Sequence, residues 1–180
     1  DHQSIYPSQS FEYVQADLAT TNGVLELATE LHLAHGQFDE MVLTQSRFPD
    51  PENPTNENGH DRTVFIGVLS RFLLIRRMAE TRLLTTGARI ISIFASTKTD
   101  VKAPSDDMVK EILLRKRPFD GGLASCLDTL GTASLVHDIL VSTTAAKYKG
   151  LTIVGMHPGP FLGKNSQKVQ LDDIIIIFWM

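Results

Sequence analysis

The segment with the most chemical information lies near the carboxyl end of the chain, where Ile153-Val154-Gly155-Met156 runs into His157-Pro158-Gly159-Pro160. An apolar run followed by Pro-Gly is typical of a parallel strand that enters a loop lined by backbone atoms. Proline fixes φ and removes a hydrogen-bond donor, while glycine lets the backbone approach a ligand closely. We therefore expect a ligand-facing loop here. We interpret His157 as a hydrogen-bonded structural residue rather than a catalytic base.

Other histidines and the single cysteine give weaker indications of chemistry. His32 and His35 have a helical i, i+3 spacing that suits a metal, but no third ligand follows them, so we interpret them as surface histidines and predict no metal site. His137 lies in a helix rich in Leu, Val and Ile and is interpreted as a satisfied, half-buried histidine. Cys126 lies near a helix start, where the helix dipole lowers a thiol pKa. A nucleophilic role is not favoured, because no histidine is near it in sequence.

Composition limits the classes of function. The 180 residues suffice for one domain with a real core, and 42% hydrophobic and 21% charged residues are ordinary for a globular protein. The net charge of −4 argues against nucleic-acid binding. No apolar run reaches the length of a membrane span. One cysteine excludes an internal disulfide, and a reducing, cytoplasmic compartment fits best.

Hydrophobic periodicity predicts strands that alternate with helices. The predicted strands are 11–16, 40–44, 88–95 and 151–156, and the predicted helices are 20–34, one from Thr55 or Asn58 to about Leu84, one around 108–114, and 123–148. Thr21 or Asn22 is expected to cap the first helix, and residues 171–180 to form a strand or short helix. Each strand is a continuous apolar run, so we predict an α/β fold with a doubly wound, Rossmann-like parallel sheet in one domain.

The order of these pieces resembles the short-chain dehydrogenase/reductase family, in its fungal-type form, across nearly the whole chain. The matching segments are Asp17-Leu18, Phe38-Asp39-Glu40-Met41-Val42-Leu43, Thr55-Asn56-Glu57-Asn58-Gly59-His60, Ser70-Arg71-Phe72-Leu73-Leu74, Gly87-Ala88-Arg89-Ile90-Ile91-Ser92-Ile93, and Gly150-Leu151-Thr152-Ile153-Val154 with His157-Pro158-Gly159. The resemblance implies NADP or NAD as cofactor and a carbonyl or alcohol as substrate. It places Asp17 and Leu18 at the adenine, and it places Thr44, Pro158 and Gly159 along the cofactor.

The family's catalytic side chains are missing from the matching positions. The family uses a Ser, a Tyr as general acid/base, and a Lys four residues later that lowers the pKa of the Tyr and holds the ribose. Here the serine position is Ala95, with Ser96 adjacent, the tyrosine position is Leu130 and the lysine position is Ser134. None of the three tyrosines has a lysine four residues later. The sequence therefore predicts that the ordinary reaction has been lost.

The glycine-rich phosphate loop is also missing, since the twelve glycines form no Gly-x-Gly-x-x-Gly pattern. By the resemblance, the chain begins at the family's third strand and lacks the first β-α-β unit, at least about 30 residues. In the strand order 3-2-1-4-5-6, this loss leaves 41–43 as a bare apolar edge. We favour a piece of a longer protein, and the absence of an initial Met agrees. A re-paired first strand and a covering partner chain remain alternatives.

Three functions remain open from the sequence, because fold alone does not choose among them. The first is an NAD(P)-dependent oxidoreductase of carbonyls or alcohols. The second is a non-redox cyclase, isomerase or dehydratase of secondary metabolism, in which a pocket positions a small-molecule substrate. The third is a catalytically silent pseudoenzyme that binds or scaffolds. The helices predicted at 59–84 and 123–148 are expected to form the homodimer surface.

The arginines of the long helix, Arg71, Arg76, Arg77 and Arg82, suggest a phosphate site only at first sight. They alternate with apolar residues along one predicted helix. We therefore predict that they form a solvated helix face.

Overall fold

A computed structural model describes residues 12–94, 105–114 and 121–156, together with the backbone of 177–179. In chain order the elements are α1 (Thr21–Ala34), β1 (Phe38–Leu43), α2 (Arg62–Val64), a π-helical turn (Phe65–Leu69), α3 (Ser70–Glu80), β2 (Leu84–Ile93), α4 (Asp106–Leu113), α5 (Leu123–Lys147), β3 (Thr152–Met156) and β4 (Ile177–Trp179). Strands and helices alternate along most of the chain, as the hydrophobic pattern predicts.

The sheet has the strand order β3-β2-β1-β4. β1, β2 and β3 are parallel, and their register aligns Met41 with Ile90 and Ile90 with Ile153. β4 runs antiparallel to β1 and pairs Phe178 with Met41. The parallel three-stranded core with crossover helices confirms the predicted Rossmann-like α/β class.

Local sequence explains where the helices begin. The Thr20 hydroxyl caps α1 by accepting from the Gly23 N–H at 3.0 Å. The Asp61 carboxylate caps α2 by accepting from the Val64 N–H at 3.0 Å. α2, the π-helical turn and α3 follow without a break, so the long predicted helix exists, but it starts later and ends earlier than predicted. The helix begins directly after Asp61, whose carboxylate accepts from a free N–H group of the first turn, so the cap is Asp61 rather than Thr55 or Asn58.

The main core lies between one face of the sheet and the helices α1 and α3. Its fully buried members include Val24 and Leu31 from α1, Met41 from β1, Leu74 from α3 and Ile90 from β2. A second cluster joins α2, α4 and α5 around Phe94, just beyond the end of β2. Both clusters lie on the same face of the sheet, because Ile90 and Phe94 are separated by an even number of strand positions.

Two predictions, one about residues 11–16 and one about the edge of β1, need correction. Residues 12–17 are not a strand, although Val14 and Ala16 pack against the core. Without a neighbouring strand to supply ladder hydrogen bonds, an alternating pattern alone does not make a strand. The edge of β1 is also not bare, because β4 pairs with it from Glu40 to Val42. The sequence left residues 171–180 open between strand and helix, and 177–179 form a strand.

Candidate functional site

A buried polar network lies near the carboxyl ends of β1 and β2, between α3 and α5. Its members Arg71, Ser92 and His137 are each only 2% exposed. Ligands of open α/β sheets bind near the carboxyl ends of the strands, so this network lies close to the expected place for a site. The π-helical turn directly precedes α3, the helix that carries Arg71. Such turns occur frequently at functional sites.

Arg71 bridges the ends of two strands. Its Nη1 donates to Ser92 Oγ at 2.9 Å and to the Ile93 carbonyl at 2.7 Å, and its Nη2 donates to the Gln45 carbonyl. The guanidinium also lies 5.4 Å from the centre of the Phe94 ring, which suits a cation–π contact. Burial lowers the pKa of Arg71 to about 9, because the charged form loses its hydration.

Ser92 continues the network to His137. Ser92 Oγ lies 2.9 Å from His137 Nε2, and His137 Nδ1 lies 3.3 Å from Asp138 Oδ1. Ser92 Oγ accepts from Arg71 and has both a proton and a second lone pair for His137 Nε2, so the tautomer of the ring sets the direction of that bond. The His137 ring also stacks on Phe94 with ring centres 5.3 Å apart. The contacts therefore form a continuous chain from Arg71 through Ser92 and His137 to Asp138.

A serine, a histidine and an aspartate in this order also occur in nucleophilic active sites. Here, however, Ser92 is buried, and the cavity beside it measures only about 20 Å³. That volume holds about one water molecule and no organic substrate. The network therefore joins β1, β2, α3 and α5 rather than presenting Ser92 to a substrate.

The positions named by the family resemblance fall in different places. Ala95, Ser96, Pro158 and Gly159 lie outside the described residues, as does His157. Leu130 and Ser134 lie on α5 and are half-buried. His137 follows them on the same helix face, three residues after Ser134 and seven after Leu130. The nearest acid–base side chain on that face of α5 is therefore one turn beyond the lysine position.

The predicted adenine contacts belong to the start of α1. The Asp17 carboxylate is exposed and accepts from the Ala19 N–H at 2.9 Å, whereas Leu18 is 2% exposed and packs in the main core. Thr44 is exposed directly after β1. Its neighbour Gln45 is buried, and within the part of the chain that the structure describes neither its amide oxygen nor its amide nitrogen has a hydrogen-bond partner. A buried amide without partners is costly, so Gln45 is a candidate ligand contact.

Arg71 and Cys126 differ from their predictions. Arg71 is not part of a solvated face, although Arg76 and Arg77 are exposed as predicted. Burial raises the pKa of the Cys126 thiol, so the expected lowering by the helix start is wrong. The spacing of buried residues was the missed signal for Arg71, which lies between Val68 and Ile75 at helical intervals of three and four.

His137 is satisfied by hydrogen bonds, as predicted, but it is buried rather than half-buried. His35 ends α1, with its Nε2 3.5 Å from Glu12 Oε2, and His32 is exposed in the last turn. No group of three metal-ligating side chains occurs within the described ranges. The helices found there also include none that is both long enough and apolar enough to cross a membrane.

A larger groove, of about 560 Å³, lies on the outer surface of α1. It is lined by one helix alone, with no titratable groups other than Glu26 and Glu30. It is wide open, so we do not treat it as the site.

Comparison with solved structures identifies the fold. The citronellol catabolism dehydrogenase of Pseudomonas aeruginosa superposes with a TM-score of 0.58 at 16% identity, over 88% of this chain and 56% of that one. A metagenomic short-chain oxidoreductase in complex with NADP gives 0.57 at 15% identity, over 88% and 64%. This chain has the fold of the short-chain dehydrogenases. A 4-hydroxyisoleucine dehydrogenase complexed with NADH and succinate gives 0.51 at 15% identity, over 81% and 60%.

The short-chain dehydrogenase fold is shared over only part of those proteins. This chain spans 56% to 64% of the length of the three structures described. No known family profile matches the sequence, and no curated protein sequence does. The likeness therefore lies in the backbone and establishes the fold.

Proposed function

We propose that this chain belongs to an NAD(P)-dependent oxidoreductase of the short-chain type that acts on a small carbonyl or alcohol. The observation that carries the proposal is the fold, with three parallel strands whose carboxyl ends lie where such proteins bind ligands. Two of the similar structures contain NADP or NADH. In this proposal residues 1–180 form one Rossmann-like domain, and the protein is cytoplasmic.

The described residues fit the nicotinamide end of a cofactor better than the diphosphate end. Gln45 follows β1 with a buried amide whose donor and acceptor have no partner within the described ranges, and a carboxamide ligand can satisfy both. No glycine-rich loop is present in the sequence to hold a diphosphate. A bound nicotinamide cofactor would supply the hydride. Gln45 would hold its amide, and Thr44, Pro158 and Gly159 would line the same edge.

The family's Tyr and Lys positions hold side chains that cannot carry out its proton transfer. Leu130 and Ser134 have neither the acidity of a tyrosine nor the charge of a lysine. His137 is on the correct helix face, but its Nε2 is occupied by Ser92. These residues favour, as a second candidate, a non-redox enzyme of secondary metabolism or a silent binding protein on the same fold.

Titration of the full chain with NADH and NADPH by calorimetry tests both candidates. Binding in the micromolar range or tighter, weakened in Gln45→Leu and retained in the control Gln37→Leu, is expected for the oxidoreductase. Gln37 is exposed beside β1 and donates to the Arg82 carbonyl at 2.9 Å, which makes it a matched control. Absence of binding by either nucleotide contradicts the first candidate and favours the second.

Turnover distinguishes the two candidates further. Consumption of NADPH with a panel of small ketones, followed at the nicotinamide absorbance, is expected to be slow because the family's tyrosine and lysine are replaced. Fast turnover would show that another proton donor operates and would contradict the loss predicted from Ala95, Leu130 and Ser134.

A further inference from the structure

Two asparagines of the sequence are each followed directly by glycine, in the pairs Asn22-Gly23 and Asn58-Gly59. Asparagine is chemically labile, because its side-chain carbonyl carbon lies within reach of the next backbone nitrogen. Glycine has no Cβ and adopts a wide range of φ and ψ, so its nitrogen reaches that carbon with the least hindrance. The surroundings of each pair therefore decide whether it reacts in the folded chain.

The pair Asn58-Gly59 lies at the tip of an exposed turn that precedes α2. The Gly59 N–H donates to the Asn56 carbonyl at 3.0 Å, and the Asn56 N–H donates to the His60 carbonyl at 2.9 Å. Gly59 has a φ of 76°, as is usual for a residue that closes a short hairpin loop. Asn58 and Gly59 are both exposed, and within the described ranges a side chain added at Gly59 would meet nothing within 4 Å beyond its chain neighbours. This pair therefore has room to change conformation.

The pair Asn22-Gly23 lies in the first turn of α1, and its surroundings are the opposite. The Gly23 N–H donates to the Thr20 hydroxyl at 3.0 Å and so completes the cap of α1. Gly23 is buried, and the place where a Cβ would stand lies 1.9 Å from the Asp17 carbonyl oxygen. The next residue, Val24, is 0% exposed. The peptide between Asn22 and Gly23 is therefore held by the helix and by close packing.

We propose that Asn58 is a site of spontaneous deamidation in the folded chain and that the helix protects Asn22. The reaction begins when a base in the solvent removes the proton of the Gly59 N–H, and the nitrogen then attacks Cγ of Asn58. A bond forms between Gly59 N and Asn58 Cγ, the bond from Cγ to Nδ2 breaks, and Nδ2 leaves as ammonia after it takes a proton from water. The product is a cyclic succinimide.

Water then opens the succinimide in one of two ways. Attack at Cγ leaves an ordinary aspartate at position 58, whereas attack at the backbone carbonyl carbon leaves an isoaspartate, in which the chain continues through the side chain. In both cases one water is consumed and one ammonia is released, and no oxidant or reductant is involved. Either product adds one negative charge to a chain whose net charge is −4. Isoaspartate forms only through the ring, so its presence identifies this route.

The rates at the two pairs differ because ring closure requires the peptide to turn toward the asparagine side chain. At Asn58 this breaks the exposed hydrogen bond from Gly59 to Asn56, and water replaces it. At Asn22 it removes the cap of α1 and exposes Val24 to water, and both changes cost free energy. We therefore expect Asn22 to react at least about tenfold more slowly than Asn58, since each tenfold corresponds to about 1.4 kcal/mol.

The reaction changes a turn that holds the starts of two helices together. The Asn56 side-chain oxygen accepts from the Asn58 N–H at 3.1 Å and from the His60 N–H at 3.0 Å. The Asn56 side-chain nitrogen donates to the Ala19 carbonyl at 3.2 Å, just before α1, and Asp61, the cap of α2, follows the turn directly. Isoaspartate at position 58 lengthens the backbone and so moves the His60 N–H away from its acceptor. We therefore expect the turn to lose protection from hydrogen exchange in the isoaspartate form.

Peptide mapping of the full chain by mass spectrometry, during incubation in a mildly alkaline buffer, measures the reaction at each pair. We expect the peptide with Asn58 to gain the mass of an NH₂-to-OH exchange at least about tenfold faster than the peptide with Asn22. We also expect it to contain isoaspartate, which electron-transfer fragmentation distinguishes from aspartate. Incubation in concentrated urea is the matched control, because the unfolded chain has neither the turn nor the helix. There the two rates are expected to agree within about twofold.

Three results would each overturn the proposal. If Asn58 reacts in urea but stays intact in the folded chain, the turn protects it. If the two pairs react at equal rates in the folded chain, the helix gives Asn22 no protection. If the product at position 58 is aspartate without isoaspartate, the reaction does not pass through the ring.

Asn58→Ser separates the effect of the modification from other effects of long incubation. Serine keeps a small polar side chain in the turn but has no amide to lose. After the same incubation, we expect faster hydrogen exchange at residues 56–62 in the wild type and no change in Asn58→Ser. Unchanged exchange in wild-type chains that have converted to isoaspartate contradicts the proposed effect on the turn.

Discussion

Substitution of Arg71 tests whether its hydrogen bonds outweigh the cost of its burial. The three bonds to Ser92, Ile93 and Gln45 each contribute about 1.5–3 kcal/mol, since the donor is charged. Against them, lowering the pKa of Arg71 to about 9 corresponds to about 5 kcal/mol of lost hydration, at about 1.4 kcal/mol per pH unit. Together the three hydrogen bonds contribute slightly more free energy than the loss of hydration costs. Arg71→Met is therefore expected to reduce the free energy of unfolding by about 2 kcal/mol.

Arg71→Lys separates the two contributions. Lysine keeps the buried charge and its cost, but a single ammonium cannot reach three acceptors that the planar guanidinium reaches at once. The lysine variant is therefore expected to be less stable than the methionine variant, by about 1–2 kcal/mol. Urea denaturation at neutral pH measures the order of the two.

Arg77→Met is the control for helix propensity, because Arg77 is exposed on the same helix. It is expected to change stability by no more than about 0.5 kcal/mol. A lysine variant as stable as the wild type, or a methionine variant more stable than it, would refute the balance worked out above.

Three further measurements test other parts of the structure. Gly23→Ala is expected to cost about 1–3 kcal/mol in urea, because its Cβ would lie 1.9 Å from the Asp17 carbonyl oxygen, whereas Gly36→Ala, with nothing within 4 Å, is expected to be neutral. Burial raises the pKa of the Cys126 thiol, so its alkylation rate should rise at a higher pH than that of a free thiol. A pH–rate profile equal to that of a free thiol contradicts this. The pKa of Arg71 is lower in the folded chain than in the unfolded chain, so above about pH 9 the unfolded chain binds more protons. The difference in free energy of unfolding between the wild type and Arg71→Met should therefore rise with pH. A difference that stays constant with pH contradicts this.

The sequence predicts correctly those strands and helices that have a regular hydrophobic period. The apolar runs around Met41, Ile90 and Ile153 pair as parallel strands, so their assignment is correct, although β3 is half-buried at Ile153 and exposed at its other residues. α1 and α5 agree with the predicted helices 20–34 and 123–148 to within a residue or so. Local periodicity decides such elements, because each carries its own hydrophobic stripe.

Long-range pairing explains the differences. Residues 12–16 alternate like a strand, but a strand needs a neighbour, and the neighbour is not encoded in that segment. The partner that β1 does find, β4, is encoded at the far end of the chain, where the pattern left helix and strand open. A hydrophobic pattern predicts which face of a helix or strand is buried, but it does not predict which other strand pairs with it.

The candidate site was predicted only in part. His137 was interpreted as satisfied, but its partner Ser92 belongs to β2 and is 45 residues away in sequence. Arg71 was interpreted by its charge and not by its position on the helix. Because charged residues are rarely buried, the residue type predicted an exposed Arg71 in spite of its helical spacing. Its hydrogen bonds with the ends of two strands explain why it is buried instead.

The pairing of β4 with β1 has a consequence for how the protein is made. Met41 pairs with Phe178, a residue separated from it by most of the chain. Ribosomal synthesis delivers β1, β2 and β3 well before β4, so β1 lacks its β4 partner until residues 177–179 emerge. Nascent chains therefore pass through a stage with an open apolar edge, and contacts between distant residues form slowly.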